Sequence, residues 1–358
     1  MSIMQMMLGA GGGAGGSEPV DDVFSVDLYT GNDTPGTIIT TGINMNTSDS
    51  DGAHGMVWLK CRNYSTTSNS YNMYDTVRGS GKFLVTSSNA AEYNLNTYYS
   101  GYGLTGFTGT DNDGFTVGSN WAGENRGAVG YNPAGAQLAW SFKCSPKFFD
   151  IVQFQGSTWS GTGARTPTIA HNLGTTPGFM IIKRYSGGTG DWHVYHTALD
   201  GGDYRRLELN NTDKQQPTSA PNSISYFASN STHFDFNGGQ IGGAGYDMMA
   251  YLFAEDGDNI KCGASTSAGG ASDWNTVELG WEPQWIMLKA VDSPAGWQVC
   301  DTERDIRTGS TDEIAEVNTT ATTHYGDIFE LYSTGFKYRT GYVGSGIKFA
   351  YVAIKKEE

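Results

Sequence analysis

The sequence predicts an all-β protein of tandem antiparallel β-sandwiches. The first of three supporting observations is composition: 50 Gly, 13% aromatic residues and only 16% charged ones describe short strands joined by turns, because Gly, Asn and Asp supply the backbone angles that turns require. The second is alternation of apolar and polar residues, as in Phe24-Ser-Val-Asp-Leu-Tyr, with no sustained 3.6-residue apolar spacing to mark a long amphipathic helix. The third is self-similarity: LGTTPGFMIIKR (173–184) returns as LGWEPQWIMLKA (279–290).

The chain opens on a Gly-rich tail, residues 1–20, with an apolar start and Gly-Ala spacing that predict flexibility in isolation. Ile3, Met4, Met6, Met7 and Leu8 are the candidate docking residues of this tail, Met being pliable enough for an irregular groove. The start lacks the basic residues and continuous apolar run of a secretory signal. The expectation is therefore synthesis and assembly in a cytoplasm.

Three sandwich repeats follow, at 21–145, 146–256 and 257–358. Each has a leading strand, of which Phe24-Ser-Val-Asp-Leu-Tyr and Phe149-Asp-Ile-Val-Gln-Phe match in polarity. Each then has an apolar run ending in Lys (Met56 to Lys60, Phe179 to Lys183, Trp285 to Lys289), expected to be a strand covered on both faces. Before the second and third runs, Gly174 with Pro177 and Gly280 with Pro283 suit a turn and a strand entrance, a structural role rather than a catalytic one. Next come Asn72-Met-Tyr-Asp75, Trp192-His-Val-Tyr195 and Trp297-Gln-Val-Cys300, which alternate and are expected to be half exposed. Each repeat closes on an alternating run: Leu138-Ala-Trp140, Met249-Ala-Tyr251, Phe349-Ala-Tyr351. With six to eight such runs per repeat, each copy is expected to enclose its own aromatic row between two sheets.

Net charge of −15 with only 22 Lys and Arg argues against a nucleic-acid surface. No segment reaches the roughly 18 apolar residues that would cross a bilayer, so membrane insertion is not expected. Cys61, Cys144, Cys262 and Cys300 lack zinc spacing and read as reduced apolar fillers.

No catalytic residue, metal ligand or cofactor is predicted. His193 and His196 fall on opposite faces of a strand and cannot converge on one metal; one is expected outward, the other near Trp192. Acidic turns at Asp49-Ser-Asp51, Asp111-Asn-Asp113 and Glu255 to Asn259 lack the distal Glu of a complete calcium loop. No carboxylate pair, nucleophile elbow or phosphate loop is marked. The best candidate for a binding surface is the Gly-rich aromatic tract of the first copy, Tyr98, Tyr99 and Tyr102 with Phe107, since such rings stack on sugars or dock into partners.

TIAHNLGTTPGFMIIKR, GDWHVYH, YLFAEDG, IKCGAS, LGWEPQWIMLK and YDTVRGSGKFLVTSSNAAE resemble tandem-repeat structural proteins of tailed bacteriophages, especially those of marine and cyanobacterial hosts. The resemblance spans about residues 20 to 356. It implies lectin-like or jelly-roll-like sandwich modules in a fibre, tail appendage or head decoration, and brings no catalytic residues. The expected function is a non-enzymatic virion protein, a fibre or appendage subunit that is attached by its tail and contacts the host surface. Its expected partners are other virion proteins, host glycan and further copies of itself, the last because fibres are commonly oligomeric. The alternatives are a decoration protein stabilising the capsid and a polysaccharide-degrading appendage.

Overall fold

Among the described residues the repeated turn and strand signals fold into nine strands per copy, in one pattern used three times. The structure, a computed structural model, describes residues 17–48, 53–63, 71–95, 107–118, 135–156, 168–200, 205–217, 227–236, 245–255, 257–304, 312–321 and 324–357. Copy 1 contains β1 (Phe24–Thr30), β2 (Thr37–Thr40), β3 (Gly55–Cys61), β4 (Asn72–Asp75), β5 (Lys82–Val85), β6 (Tyr93–Asn94), β7 (Phe107–Asp111), β8 (Gly114–Val117) and β9 (Ala136–Lys143). Copy 2 contains β10 (Phe149–Gln155), β11 (Ile169–Ala170), β12 (Pro177–Arg184), β13 (His193–His196), β14 (Arg205–Glu208), β15 (Gln216–Pro217), β16 (Phe227–Ser229), β17 (His233–Phe236) and β18 (Asp247–Ala254). Copy 3 contains β19 (Ile260–Thr266), β20 (Trp274–Glu278), β21 (Pro283–Ala290), β22 (Gln298–Asp301), β23 (Asp312–Glu316), β24 (His324–Gly326), β25 (Phe329–Tyr332), β26 (Gly335–Arg339) and β27 (Lys348–Lys355). Among the described residues helix is confined to short pieces such as α1 (Thr340–Val343).

In copy 1 a six-stranded sheet runs β1-β9-β3-β4-β5-β6 and a three-stranded sheet runs β2-β8-β7. Copies 2 and 3 repeat both orders with the strand number raised by nine each time. Every pairing is antiparallel, and the small sheet packs on the large one as an all-β sandwich: Phe115 and Val117 of β8 meet Val57 and Leu59 of β3. In copy 3, Phe336 and Tyr338 of β26 likewise meet Ile286 and Leu288 of β21.

The apolar runs occupy β3, β12 and β21, central in each large sheet and buried along nearly their whole length. Their entrances carry the turn chemistry expected of them. Gly174 and Gly280 sit at φ +69° and +90°, which suits Gly, and the ladder shifts register just after Pro177 and Pro283.

Three expectations need correction. β4, β13 and β22 are not half exposed; all their residues are buried, because one face lies under the small sheet and the other against the neighbouring copy. His193 and His196 do lie on opposite faces, but neither points outward: His193 meets Phe236 of the small sheet, and His196 reaches copy 3. The closing runs also differ in register. Trp58 pairs with Trp140 and Ile181 with Tyr251, whereas Met287 pairs with Val352, so Val352 and not Tyr351 is the third member. Slipped by one residue, Tyr351 points to the opposite face and meets Phe336 edge-on at 5.7 Å.

The copies do not lie in a row with only private cores. The largest apolar cluster takes Phe24, Met56, Trp58, Trp140 and Phe142 from copy 1, Phe149, Phe179 and Phe253 from copy 2, and Trp285, Met287 and Trp297 from copy 3. Phe142 meets both Phe253 and Trp285, at 5.7 and 6.0 Å, and Phe179 meets Trp297 at 6.1 Å. Copy 1 thus touches 2, 2 touches 3, and 3 touches 1. The outer face of each large sheet is apolar enough to need covering, and its sister copies cover it.

Candidate functional site: the seams that close the ring

Three positions of the repeat, each recurring in every copy, build the seams. The first is the Lys ending each apolar run. Lys60, Lys183 and Lys289 are 1%, 0% and 1% exposed, and each sends its amine into the preceding copy of the cycle. Lys183 Nζ donates to Asn89 O of copy 1 at 3.0 Å, Lys289 Nζ to Thr212 O of copy 2 at 3.3 Å, and Lys60 Nζ to Thr320 O of copy 3 at 3.3 Å. The order is cyclic. An aliphatic stem can lie along an apolar face while its amine reaches carbonyls beyond it, which explains why a strand otherwise apolar ends in Lys.

The second position is the aromatic residue just before β4, β13 and β22: Tyr71, Trp192 and Trp297. Each ring lies under its own copy's Lys, with Nζ to centroid distances of 4.7, 5.5 and 6.0 Å, a favourable placement for a cation. Trp192 Nε1 donates across the seam to Ser88 O at 2.9 Å, and Trp297 Nε1 to Glu208 O at 2.9 Å. The Tyr71 hydroxyl finds no hydrogen-bond partner among the described residues. Backbone bonds repeat as well: Gly190 N donates to Asn89 O and Ala295 N to Thr212 O, while Glu92 N donates to Tyr185 O and Gln215 N to Val291 O.

The third position is the last residue of those strands: Asp75, His196 and Asp301. Asp75 is paired with Arg78 at 2.6 Å and Asp301 with Arg304 at 2.7 Å, with all four side chains sealed. Each carboxylate also accepts from a neighbouring copy, Asp75 from Tyr251 Oη at 2.8 Å and Asp301 from Trp140 Nε1 at 2.9 Å. Copy 2 breaks the pattern. His196 Nε2 meets Tyr351 O of copy 3 at 3.0 Å instead.

Burial dominates the electrostatics. Desolvation lowers Lys60 and Lys289 to about 8 and Lys183 to about 7. It also lowers His196 to about 4 and raises Tyr251. An amine poised near neutrality can act as a nucleophile, but these three side chains are almost fully buried and face backbone carbonyls. Their chemistry is that of structural hydrogen-bond donors.

Of the candidate docking and surface-binding residues expected from sequence, only Phe107 lies among the described residues. Ile3, Met4, Met6, Met7 and Leu8, together with Tyr98, Tyr99 and Tyr102, lie outside the described residues. Phe107 opens β7 and pairs with Val117 on the outer sheet of copy 1. Of the acidic turns, Asp111-Asn-Asp113 is the β7–β8 hairpin, with Asp111 Oδ1 accepting from Asp113 N at 3.0 Å; 49–52 and residue 256 lie outside the description. No group of three or more potential metal ligands occurs among the described residues. The sequence marks these lysines as the end of each apolar run but not as seam residues; the available signal was a Lys recurring in every copy directly after four apolar residues of a central strand.

Fold and seams together define a class: an all-β protein in which one sandwich, of nine strands among the described residues, is used three times and locked into a ring by buried polar side chains. A family model described as a domain of unknown function (DUF7483) matches residues 19–357, so the chain belongs to that family. A search of curated proteins found no match.

Proposed function

We propose that the protein is a non-enzymatic structural component of a tailed-phage particle, a fibre or appendage subunit attached by its amino-terminal tail and turning its far pole to the host surface. One observation supports the attachment: the chain leaves its tail between copies 1 and 3, beside the connection from copy 1 to copy 2. Glu18 takes Lys143 Nζ at 2.7 Å and Ser145 Oγ at 3.1 Å at the junction of copies 1 and 2. Its carbonyl accepts from Asn259 Nδ2 of copy 3 at 2.6 Å, and Ser17 Oγ donates to Asp258 at 2.6 Å. Beside this exit, Gly280, Trp281, Glu282, Ser333, Lys355 and Lys356 line a groove of about 450 Å³. A tail held between copies transmits load to more than one sandwich. The shared core and sealed seams suit a part that must stay rigid, and the resemblance to phage repeat proteins supplies the setting.

The test is location and attachment. Gold-labelled antibody on intact particles from the source of the gene should decorate a tail fibre or appendage, and deleting residues 2–16 should abolish incorporation while leaving the thermal stability of the purified protein unchanged. Labelling distributed over the head would favour the decoration reading. Full incorporation of the truncated protein would overturn attachment through the tail.

A further inference from the structure

We propose that the seam between copies 2 and 3 is an acid-sensitive opening point of the ring, governed by His196, while the seams built on Asp75 and Asp301 stay closed. The geometry fixes the tautomer. His196 Nδ1 accepts from Ala198 N at 2.9 Å, so it carries no proton, and Nε2–H donates to Tyr351 O of copy 3 at 3.0 Å. Protonating Nδ1 sets an N–H against the Ala198 N–H and puts a charge into a site where the side chain is almost fully covered. Among the described residues no carboxylate stands by to balance it. Phe179 lies 5.9 Å away on β12, and the charged group that bears on His196 from β27 is Lys348, a like charge. Asp200 is already committed to Lys348 at 2.6 Å, and the Lys348 hydrogen bond holds Asp200 below the ordinary carboxylate range. In the other two seams an Asp–Arg pair occupies this position, and the Tyr251 and Trp140 donors it accepts from keep their protons in acid.

The sign follows from linkage. Burial lowers the folded-state value of His196 from 6.5 to about 4, so an opened seam binds a proton more readily than a closed one, and closure weakens as pH falls from 6.5 towards 4. In that window the opening equilibrium should rise about tenfold per pH unit. Asp200, with its value lowered, keeps its charge there.

Hydrogen exchange of the full chain, read by mass spectrometry between pH 7 and 4.5 and corrected for the intrinsic rate, tests this directly. Gln215 and Ala295, whose amides cross the 2–3 seam, should lose protection on acidification, while their counterparts Glu92 and Gly190 at the 1–2 seam keep theirs. His171 and His193 also titrate within copy 2, so His196→Gln, which keeps a donor for Tyr351 O without a titrating ring, isolates the effect: it should retain protection at both seams down to pH 4.5. Equal loss at both seams in the wild-type protein, or an unchanged acid response in His196→Gln, overturns the proposal. The wild-type comparison needs no variant and decides the matter even if the substitution fails to fold.

Discussion

Lys183 of copy 2 places its amine 3.0 Å from the carbonyl of Asn89 in copy 1, a charged donor buried in a seam and facing backbone rather than a carboxylate. With Lys60 and Lys289 in equivalent positions, this relationship makes stability depend on alkaline pH. Folded-state values of about 7 to 8 lie below the 10.5 of the unfolded chain, so between these limits the unfolded state binds more protons and stability rises with pH. The slope is at most about 1.4 kcal/mol per pH unit per Lys. Above about 10 buried Tyr251 reverses the trend, because burial raises its value and the unfolded chain ionises first. Urea midpoints should climb from pH 7 to about 9.5 and then fall, and Lys183→Met should flatten the climb.

Asp301 sits between Arg304 of its own copy and Trp140 of copy 1. Asp301→Ala strands a buried guanidinium and an indole N–H together, and should cost about 3–5 kcal/mol. Trp140→Phe removes only the donor along with some area. A double-mutant cycle on denaturant midpoints should give a coupling of about 1–2 kcal/mol; additive effects would show that the indole–carboxylate bond contributes nothing to the seam.

At Gly178 the copies differ by a single requirement of space. A Cβ there would lie 2.4 Å from Glu255 Cα, so Gly178→Ala must move backbone and should cost about 1–3 kcal/mol. Copy 3 has Gln284 at the corresponding place, its amide donating to Lys355 O at 2.8 Å. Gln284→Ala is expected to cost about 1 kcal/mol or less, and thermal melts of the two variants check the contrast.

Much of the fold could be read from the sequence because strand alternation and turn residues are local signals. The apolar runs at Met56, Phe179 and Trp285 marked the central strands, and Gly174 with Pro177 marked an entrance. What could not be read was what covers the outer faces. Alternation in Trp192-His-Val-Tyr195 reports two chemically different faces, not one wet face, and here the second face is met by another copy. The seam was hidden for the same reason: Lys, Trp and Asp at fixed places look like surface residues until Asn89, Glu208 or Tyr251, far away in the chain, is brought to them.

A core shared by all three copies predicts how the molecule melts. Trp285 of copy 3 packs at 6.0 Å on both Trp140 and Phe142 and at 6.2 Å on Phe24, all in copy 1. None of these contacts survives if either copy unfolds, so neither copy can melt without exposing the other's largest apolar face. Calorimetry should therefore show one transition whose calorimetric and van't Hoff enthalpies agree. Trp285→Ala should lower that transition as a whole, at a cost of about 3–5 kcal/mol, without splitting it. By contrast, truncating Val277, which packs only within copy 3's own sandwich, removes less area and should cost about 1–2 kcal/mol. Two or more resolved transitions in the wild-type protein would mean that the sandwiches unfold independently, and that the aromatic contacts across the seams couple them too weakly to matter.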